Sequence, residues 1–300
     1  MLKFIARYPF LLFAAVMLLS GCADTSEEVT LKLQGDWASA VFPTNRQEQH
    51  RMVFSFEGST CTMINPFATV SGFKIRDGVL FKAKAPEDAT TADKGWSAFR
   101  IVRLDNDTLA LYPLDSMMRK TIAGQFPGLK SDTLVLAKIR RKNTFVPTSV
   151  SFYSSMCYGT CPSMSMEIGK NGSVRYFGSY YSEQLGGHSG QLQKKEYGAL
   201  VEYIQKLPLK EMKASYEAGW SDQQTCCLVL QSKEGTKQYY VYGYGEEPVE
   251  LRLLFRKLFD IPRVAKLSPD PLVKESSFAA YYFYQHFTRD EGFVPPDSAD

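Results

Sequence analysis

Apolar and polar residues alternate with a period of two through most of the segment from Leu31 to Arg141, and helical spacing is almost absent there. Met52, Phe54 and Phe56 alternate with Val53 and Ser55, Phe73 and Ile75 with Lys74 and Arg76, and Val79, Phe81 and Ala83 with Leu80, Lys82 and Lys84. Strands patterned this way turn a dry face to a core and a wetter face outward. Asp36 to Val41, Thr60 to Ile64, Trp96 to Leu104, Thr108 to Tyr112 and Thr133 to Ile139 read as further strands, making eight in all. Turn residues at Glu57-Gly58, Asp77-Gly78 and Asp105-Asn106-Asp107 separate several of them. Eight short antiparallel strands leave exposed edges unless the sheet closes, so residues 31–141 are predicted to form a small all-β barrel. Gly124 to Lys130, containing Pro127-Gly128, is predicted as a long loop before the last strand.

Gly35-Asp36-Trp37 at the start of the first strand resembles the Gly-x-Trp opening of lipocalin-like barrels. The resemblance implies that Trp37 closes one end. An eight-stranded barrel is just wide enough to be filled by side chains or to hold one small ligand, so a small apolar ligand is one possible occupant.

The N-terminus carries an address. Lys3 and Arg7 precede an unbroken apolar run of ten residues, Phe10 to Leu19, too short for the roughly 20 that span a bilayer, so residues 1–21 read as a signal peptide. Leu19-Ser20-Gly21-Cys22 resembles the bacterial lipobox. The resemblance implies cleavage before Cys22, lipidation of that cysteine (palmitate among the acyl chains) and residence as an outer-membrane lipoprotein, on the periplasmic face or at the surface. Residues 22–30, with Asp24, Glu27 and Glu28, read as an acidic tether. Their acidic cluster also resembles the export signal of some surface-exposed lipoproteins.

Without the signal peptide, 33 basic residues face 32 acidic ones, so the composition makes no electrostatic case for nucleic acid. The membrane is reached through the lipid anchor. Besides Cys22 there are Cys61, Cys157, Cys161, Cys226 and Cys227, and outside the cytoplasm cysteine pairs default to disulfides. Five is odd; Cys61, alone in the first half, is expected to be an unpaired buried thiol, and the other four are disulfide candidates.

Arg140-Arg141-Lys142-Asn143 followed by Pro147 marks a boundary. Beyond it the pattern becomes mixed: strands Val150 to Met156, Ser163 to Gly169 and Ser173 to Tyr181, with Asn171-Gly172 as a hairpin turn between the last two. A helix from about Lys194 to Leu207 carries Tyr197, Leu200, Val201 and Ile204 on one face. Strands Thr225 to Ser232 and Lys237 to Tyr244 follow, then a helix opened by Pro248 with the stripe Leu251, Leu254, Phe255 and Leu258. The order β-β-β-α-β-β-α predicts an α+β domain over 150–265, an antiparallel sheet with both helices on one face. In 266–300, Leu272 to Phe287 reads as a last helix and Arg289 to Asp300 as a loose tail.

Cys157-Tyr158-Gly159-Thr160-Cys161-Pro162, Asn171 to Gly178, Gly187-His188-Ser189-Gly190 and Ser221-Asp222 resemble a domain family of unknown function found in bacterial envelope lipoproteins. The resemblance spans about Val150 to Ala265 and implies a fold, with no known activity attached to it. Met164 stands where that family usually has tyrosine, and Cys226-Cys227 replace its small polar residues.

No residue set amounts to a catalytic signature, and no cofactor is implied. A non-enzymatic binding or interaction module follows, its partner a small apolar ligand or an envelope protein or glycan. Tyr240, Tyr242 and Tyr244 alternate and would share one sheet face, with polar tips suited to such contacts. An alternative is a soft-metal or thiol-redox site: Cys157, Cys161, Met164 and Met166 offer sulfur ligands of the kind that favours Cu(I). Met164 and Met166 also fit a core stripe, and the redox version lacks the two-residue cysteine spacing. A hydrolase stands third. His50, His188 and His286 are isolated, His188-Ser189-Gly190 reads as a glycine-flanked turn, and Asp222, Glu246 and Glu247 read as solvated carboxylates.

Overall fold

The computed structural model describes residues 25–40, 42–43, 49–65, 67–83, 96–125 and 132–290. The predicted signal peptide, Cys22 and the tail beyond Asp290 lie outside the described residues. The chain forms an eight-stranded closed antiparallel barrel followed by an α+β domain.

Part of the predicted tether is helical. Ser26–Leu33 is α1, opened by the Thr25 hydroxyl, which accepts a hydrogen bond from the Glu28 amide. The barrel strands are β1 (Gly35–Ser39), β4 (Val53–Glu57), β5 (Thr60–Asn65), β6 (Phe67–Arg76), β7 (Val79–Ala83), β8 (Trp96–Leu104), β9 (Thr108–Pro113) and β10 (Leu134–Lys138). Around the barrel they run β1-β10-β9-β8-β7-β6-β5-β4, and β4 pairs back to β1. A separate two-stranded pair, β2 (Phe42–Pro43) and β3 (Gln49–His50), stands apart. Ser116–Gln125 is helical (α2), so the segment predicted to be purely strands and loops contains a helix that packs against β9.

One end of the barrel is closed by α1 and Trp37. The indole N–H donates to the Leu33 carbonyl at 2.7 Å, and the Lys138 ammonium lies 4.7 Å from the ring centroid. Gln34 clips the helix end to the β4–β5 turn, its side chain accepting from the Gly58 amide and donating to the Gly58 carbonyl. The interior is packed. Phe54 on β4 and Phe99 on β8 belong to diametrically opposed strands, yet their rings meet edge to face 5.8 Å apart. Phe56 stacks on Phe54 and meets Phe73, and Leu80, Leu109, Leu111, Leu134 and Leu136 fill the remaining wall.

On β7 the inward face is Leu80 and Lys82, whereas the sequence pattern predicted Val79, Phe81 and Ala83. The turn decides this. Asp77 and Gly78 both adopt left-handed φ, a two-residue hairpin that pairs Ile75 with Leu80 and Phe73 with Lys82. Since Phe73 and Ile75 face the core, Leu80 and Lys82 must as well.

The second domain is an eight-stranded sheet in the order β15-β17-β16-β11-β12-β13-β14-β18. Its strands are β11 (Ser149–Ser154), β12 (Met164–Gly169), β13 (Ser173–Gly178), β14 (Gly186–Gln191), β15 (Ser215–Glu217), β16 (Thr225–Ser232), β17 (Gly235–Tyr242) and β18 (Lys266–Pro269). It is mixed rather than wholly antiparallel, because β15 runs parallel to β17. Helices α3 (Lys194–Lys206) and α4 (Val249–Val264) cover one face through Leu200, Ile204, Leu251, Leu254, Phe255 and Leu258. Helix α5 (Ala279–Asp290), shorter than predicted at its start, covers the other through Ala280 and Tyr284.

The Gly-Gly-His-Ser-Gly segment, predicted as a turn, is strand β14. A Cβ on Gly187 would stand 2.4 Å from the Val273 carbonyl oxygen, and one on Gly190 only 2.3 Å from that of Lys266. The glycines let the backbone of 266–273 close on this strand.

The two domains share an interface. Ala38, Val53, Ile64 and Ile139 of the first half pack against Val249, Leu253 and Tyr203 of the second. At its centre Lys206 on α3 pairs with the buried carboxylate of Asp36 on β1 at 2.7 Å, and the Tyr203 hydroxyl donates to the other Asp36 oxygen at 3.3 Å. Glu250 accepts from Lys142, and Lys257 pairs with Glu57 across the same boundary.

Candidate functional site

Three connections stand side by side at one end of the α+β sheet, because adjacent strands deliver them there. Residues 155–163 join β11 to β12, residues 179–185 join β13 to β14, and residues 218–224 lead into β16. The first of these is braced by a disulfide between Cys157 and Cys161, whose Cα atoms are 5.6 Å apart. It is tied to its neighbours through the backbone. The Tyr158 amide donates to the Asp222 carbonyl at 3.2 Å, the Ser163 amide to the Tyr180 carbonyl at 2.8 Å, and the Ser179 amide to the Ser163 carbonyl at 2.9 Å.

Beneath the loops runs a satisfied polar network. The buried Gln224 side chain donates to the carbonyls of Ser155 (3.0 Å) and Pro162 (2.9 Å), and accepts from the Tyr244 hydroxyl (3.3 Å). The Ser155 hydroxyl accepts from the Thr225 amide at 2.9 Å, while the Ser154 hydroxyl donates to Pro162 at 2.8 Å. Such a network fixes loop position, since breaking any member strands a buried polar group.

Above this rigid base the loops expose large side chains. Tyr158, Tyr180, Tyr181, Leu185 and Trp220 are all exposed, from 45% at Trp220 to 92% at Tyr158. Large exposed side chains on adjacent loops held by a rigid base form a candidate contact surface. Among the described residues, three non-glycine residues have left-handed φ, and two of them, Tyr181 (54°) and Asp222 (59°), are on these loops. For a bulky residue such as Tyr181 this conformation costs about 1–2 kcal/mol, which the surrounding hydrogen bonds must hold in place.

The sequence-predicted site residues distribute as follows. Cys157 and Cys161 are bonded to each other, so neither offers a thiolate. Cys226 and Cys227 are not disulfide-bonded: both are free and fully buried, and as neighbours on β16 they face opposite sides of the sheet, in separate clusters. Burial pushes the Cys226 thiol up to about 12, despite the Tyr244 hydroxyl 3.2 Å away, and raises Cys227 well above its ordinary value. Cys61 is a free buried thiol inside the barrel, likewise raised to about 12 by burial.

Met164 and Met166 are buried under α3 and α4 as part of the core stripe, so the sulfur set proposed for copper is not assembled. Among the described residues no group of three histidine, cysteine or carboxylate side chains could hold a metal ion. The three tyrosines do not form one exposed face. Tyr240 is covered by α5 and stacks on Phe287, Tyr242 packs on that same side, and Tyr244 lies beyond Gly243, whose left-handed φ carries the chain to the helix-covered side. His188 is a buried strand residue whose Nδ1 lies 3.1 Å from the Gly186 carbonyl, and Glu247 is buried against Arg252. His286 stacks on Tyr282 at the surface.

Sequence reasoning missed Tyr158, Tyr180, Tyr181 and Trp220 as a group. For Tyr158 and Trp220 the one signal was a large ring beside Gly, Ser or Asp in a connection; Tyr180 and Tyr181 were read as the end of a strand that in fact stops at Gly178.

Residues 148–262 match the family model described as a domain of unknown function, DUF6438, which covers the β11–α4 body and all three loops. No curated protein matches the chain.

Proposed function

We propose that this chain is a lipid-anchored cell-envelope protein and that its folded part is a non-enzymatic interaction module, contacting its partner through the braced loop end of the α+β domain. The observation that carries the reading is the set of exposed rings on three loops tied together by a disulfide and backbone hydrogen bonds. The aromatic contact across the barrel favours a supporting role for that domain over an enclosed ligand. A disulfide between Cys157 and Cys161 fits an oxidising compartment, in keeping with the extracytoplasmic location that the lipobox-like Cys22 implies. The copper and thiol-redox alternative loses its thiolate donors to that same bond.

Two measurements test the reading. Cells fed an alkyne fatty acid should label the wild-type chain and not Cys22→Ala, which should leave the membrane fraction. A photo-crosslinking amino acid at Tyr158 should give a discrete adduct in cells, and the same residue at Lys237, on the far end of the sheet, should not; matching patterns at both sites would sink the contact face.

A further inference from the structure

We propose that the partner of this loop end is a basic, extended polypeptide segment. This rests on the contact-face reading above and adds the chemistry of what is contacted. Loops 155–163, 179–185 and 218–224 contain no lysine or arginine, and they carry Glu183 and Asp222. Strand β15 ends beside them at Glu217, the 243–248 connection adds Glu246, and the turn after β18 adds Asp270. Opposing cations are few. Arg263 is engaged by Glu183 and Asp260, Arg252 by Glu247, and Lys274 is the basic residue after β18. The face is therefore acidic and aromatic, in a chain whose overall charge is close to balanced.

That combination selects a cation. Rings attract guanidinium or ammonium groups through their faces, and the carboxylates of Asp222, Glu217 and Glu246, which form no ion pair among the described residues, supply the complementary charge. It disfavours phosphate-rich polymers and anionic lipid headgroups, which the same carboxylates repel. Geometry adds the shape. The connections belong to β16, β11, β12, β13 and β14, consecutive across the sheet, so they span four strand spacings of about 4.8 Å, roughly 19 Å. An extended chain at about 3.3 Å per residue covers that distance with about six residues. The disulfide, the Gln224 network and the backbone hydrogen bonds between the loops hold the surface in one shape before contact, which lowers the ordering cost of binding.

The test uses the full mature chain in detergent and a fluorescein-labelled hexapeptide of alternating arginine and glycine, read by anisotropy. The matched glutamine–glycine peptide and a neutral glucose hexamer serve as comparison probes. Saturable binding of the arginine peptide is expected, about tenfold tighter than the glutamine peptide and weakening as salt rises from about 50 to about 500 mM. Tyr158→Ser with Trp220→Ser should cost about tenfold, and Asp222→Asn several-fold, with unchanged circular dichroism in both. Equal binding of the two peptides, absence of binding, tighter binding of the glucose hexamer, or indifference to the substitutions would each overturn the proposal. If the Tyr158 crosslink forms in cells but maps to a segment without excess lysine or arginine, the partner chemistry falls and the contact face stands. If the crosslink itself is absent, the contact face falls first.

Discussion

Replacing Lys206 with methionine should destabilise the chain by about 3 kcal/mol. Lys206 and Asp36 are 170 residues apart in sequence, on α3 and β1, and meet at 2.7 Å with almost no exposure of either side chain. Removing the cation leaves the Asp36 carboxylate buried with the Tyr203 hydroxyl, at 3.3 Å, as its remaining side-chain donor among the described residues. Stranding one member of a buried pair costs about 3–5 kcal/mol, and the surviving hydrogen bond argues for the lower end. At about 2–4 °C per kcal/mol in a protein of this size, the melting temperature should fall by roughly 6–12 °C. Asp36→Leu combined with Lys206→Met should recover most of the loss, because two apolar groups need no mutual neutralisation.

Urea titration followed by tryptophan emission reads both sides of the interface, since Trp37 and Trp96 are in the barrel and Trp220 is in the α+β domain. A loss under about 1 kcal/mol for Lys206→Met, or a double variant as unstable as the summed singles, would refute the claim that this pair is a buried, coupled latch.

Other expectations follow from the core and the titrating groups. Phe99→Ala should cost about 3–5 kcal/mol and create a lumen that takes up an environment-sensitive apolar dye; dye uptake by the wild type would refute a filled barrel. Cys61, Cys226 and Cys227 should resist maleimide in the native protein and react after unfolding, because burial raises all three thiols; mass spectrometry counts the adducts, and native labelling of any of them counts against the structure. Glu275, raised above 4.5 mainly by burial with a hydrogen bond from Ser165 opposing, binds its proton more tightly when folded. Stability should therefore fall as pH rises from about 4.5 through the folded-state pKa, and Glu275→Gln should flatten that slope and be the more stable protein at neutral pH; calorimetry across pH that finds no difference would dispose of it.

The barrel was legible because its signals are local: two-residue periodicity, turn residues between runs, and a tryptophan after a glycine. Helix α2 was not, since Ser-Met-Met-Arg-Lys-Thr-Ile-Ala-Gly-Gln shows no continuous apolar stripe and sits between strand-like runs. Strand β14 was hidden by its glycines, which read as turn residues and are there because backbone from 266 and 273 closes on them. The disulfide at the candidate site could be anticipated as one of several pairings; its choice over Cys226 and Cys227 depended on β16 being a central strand with both thiols enclosed. Exposure of Tyr158 and Trp220 is a tertiary property, invisible until the loops are seen to be neighbours.

The domain interface shows in the burial of two strands whose residues alternate but whose outward face is not wet. On β1 and β4 nearly every residue is buried, Trp37, Phe54 and Phe56 toward the barrel core and Asp36, Ala38 and Val53 outward. These two strands pair with each other, Trp37 opposite Phe54 and Ala38 opposite Val53, so their outward residues form one contiguous dry patch. A barrel strand without a wet face must be covered on its outside. Val249 and Leu253 of α4 and Tyr203 of α3 provide the cover, and the buried carboxylate of Asp36 is answered there by Lys206. Strand β1 thus closes the barrel with Trp37 and docks the second domain with the residue before it, so a change at either position should be felt on both sides of the sheet.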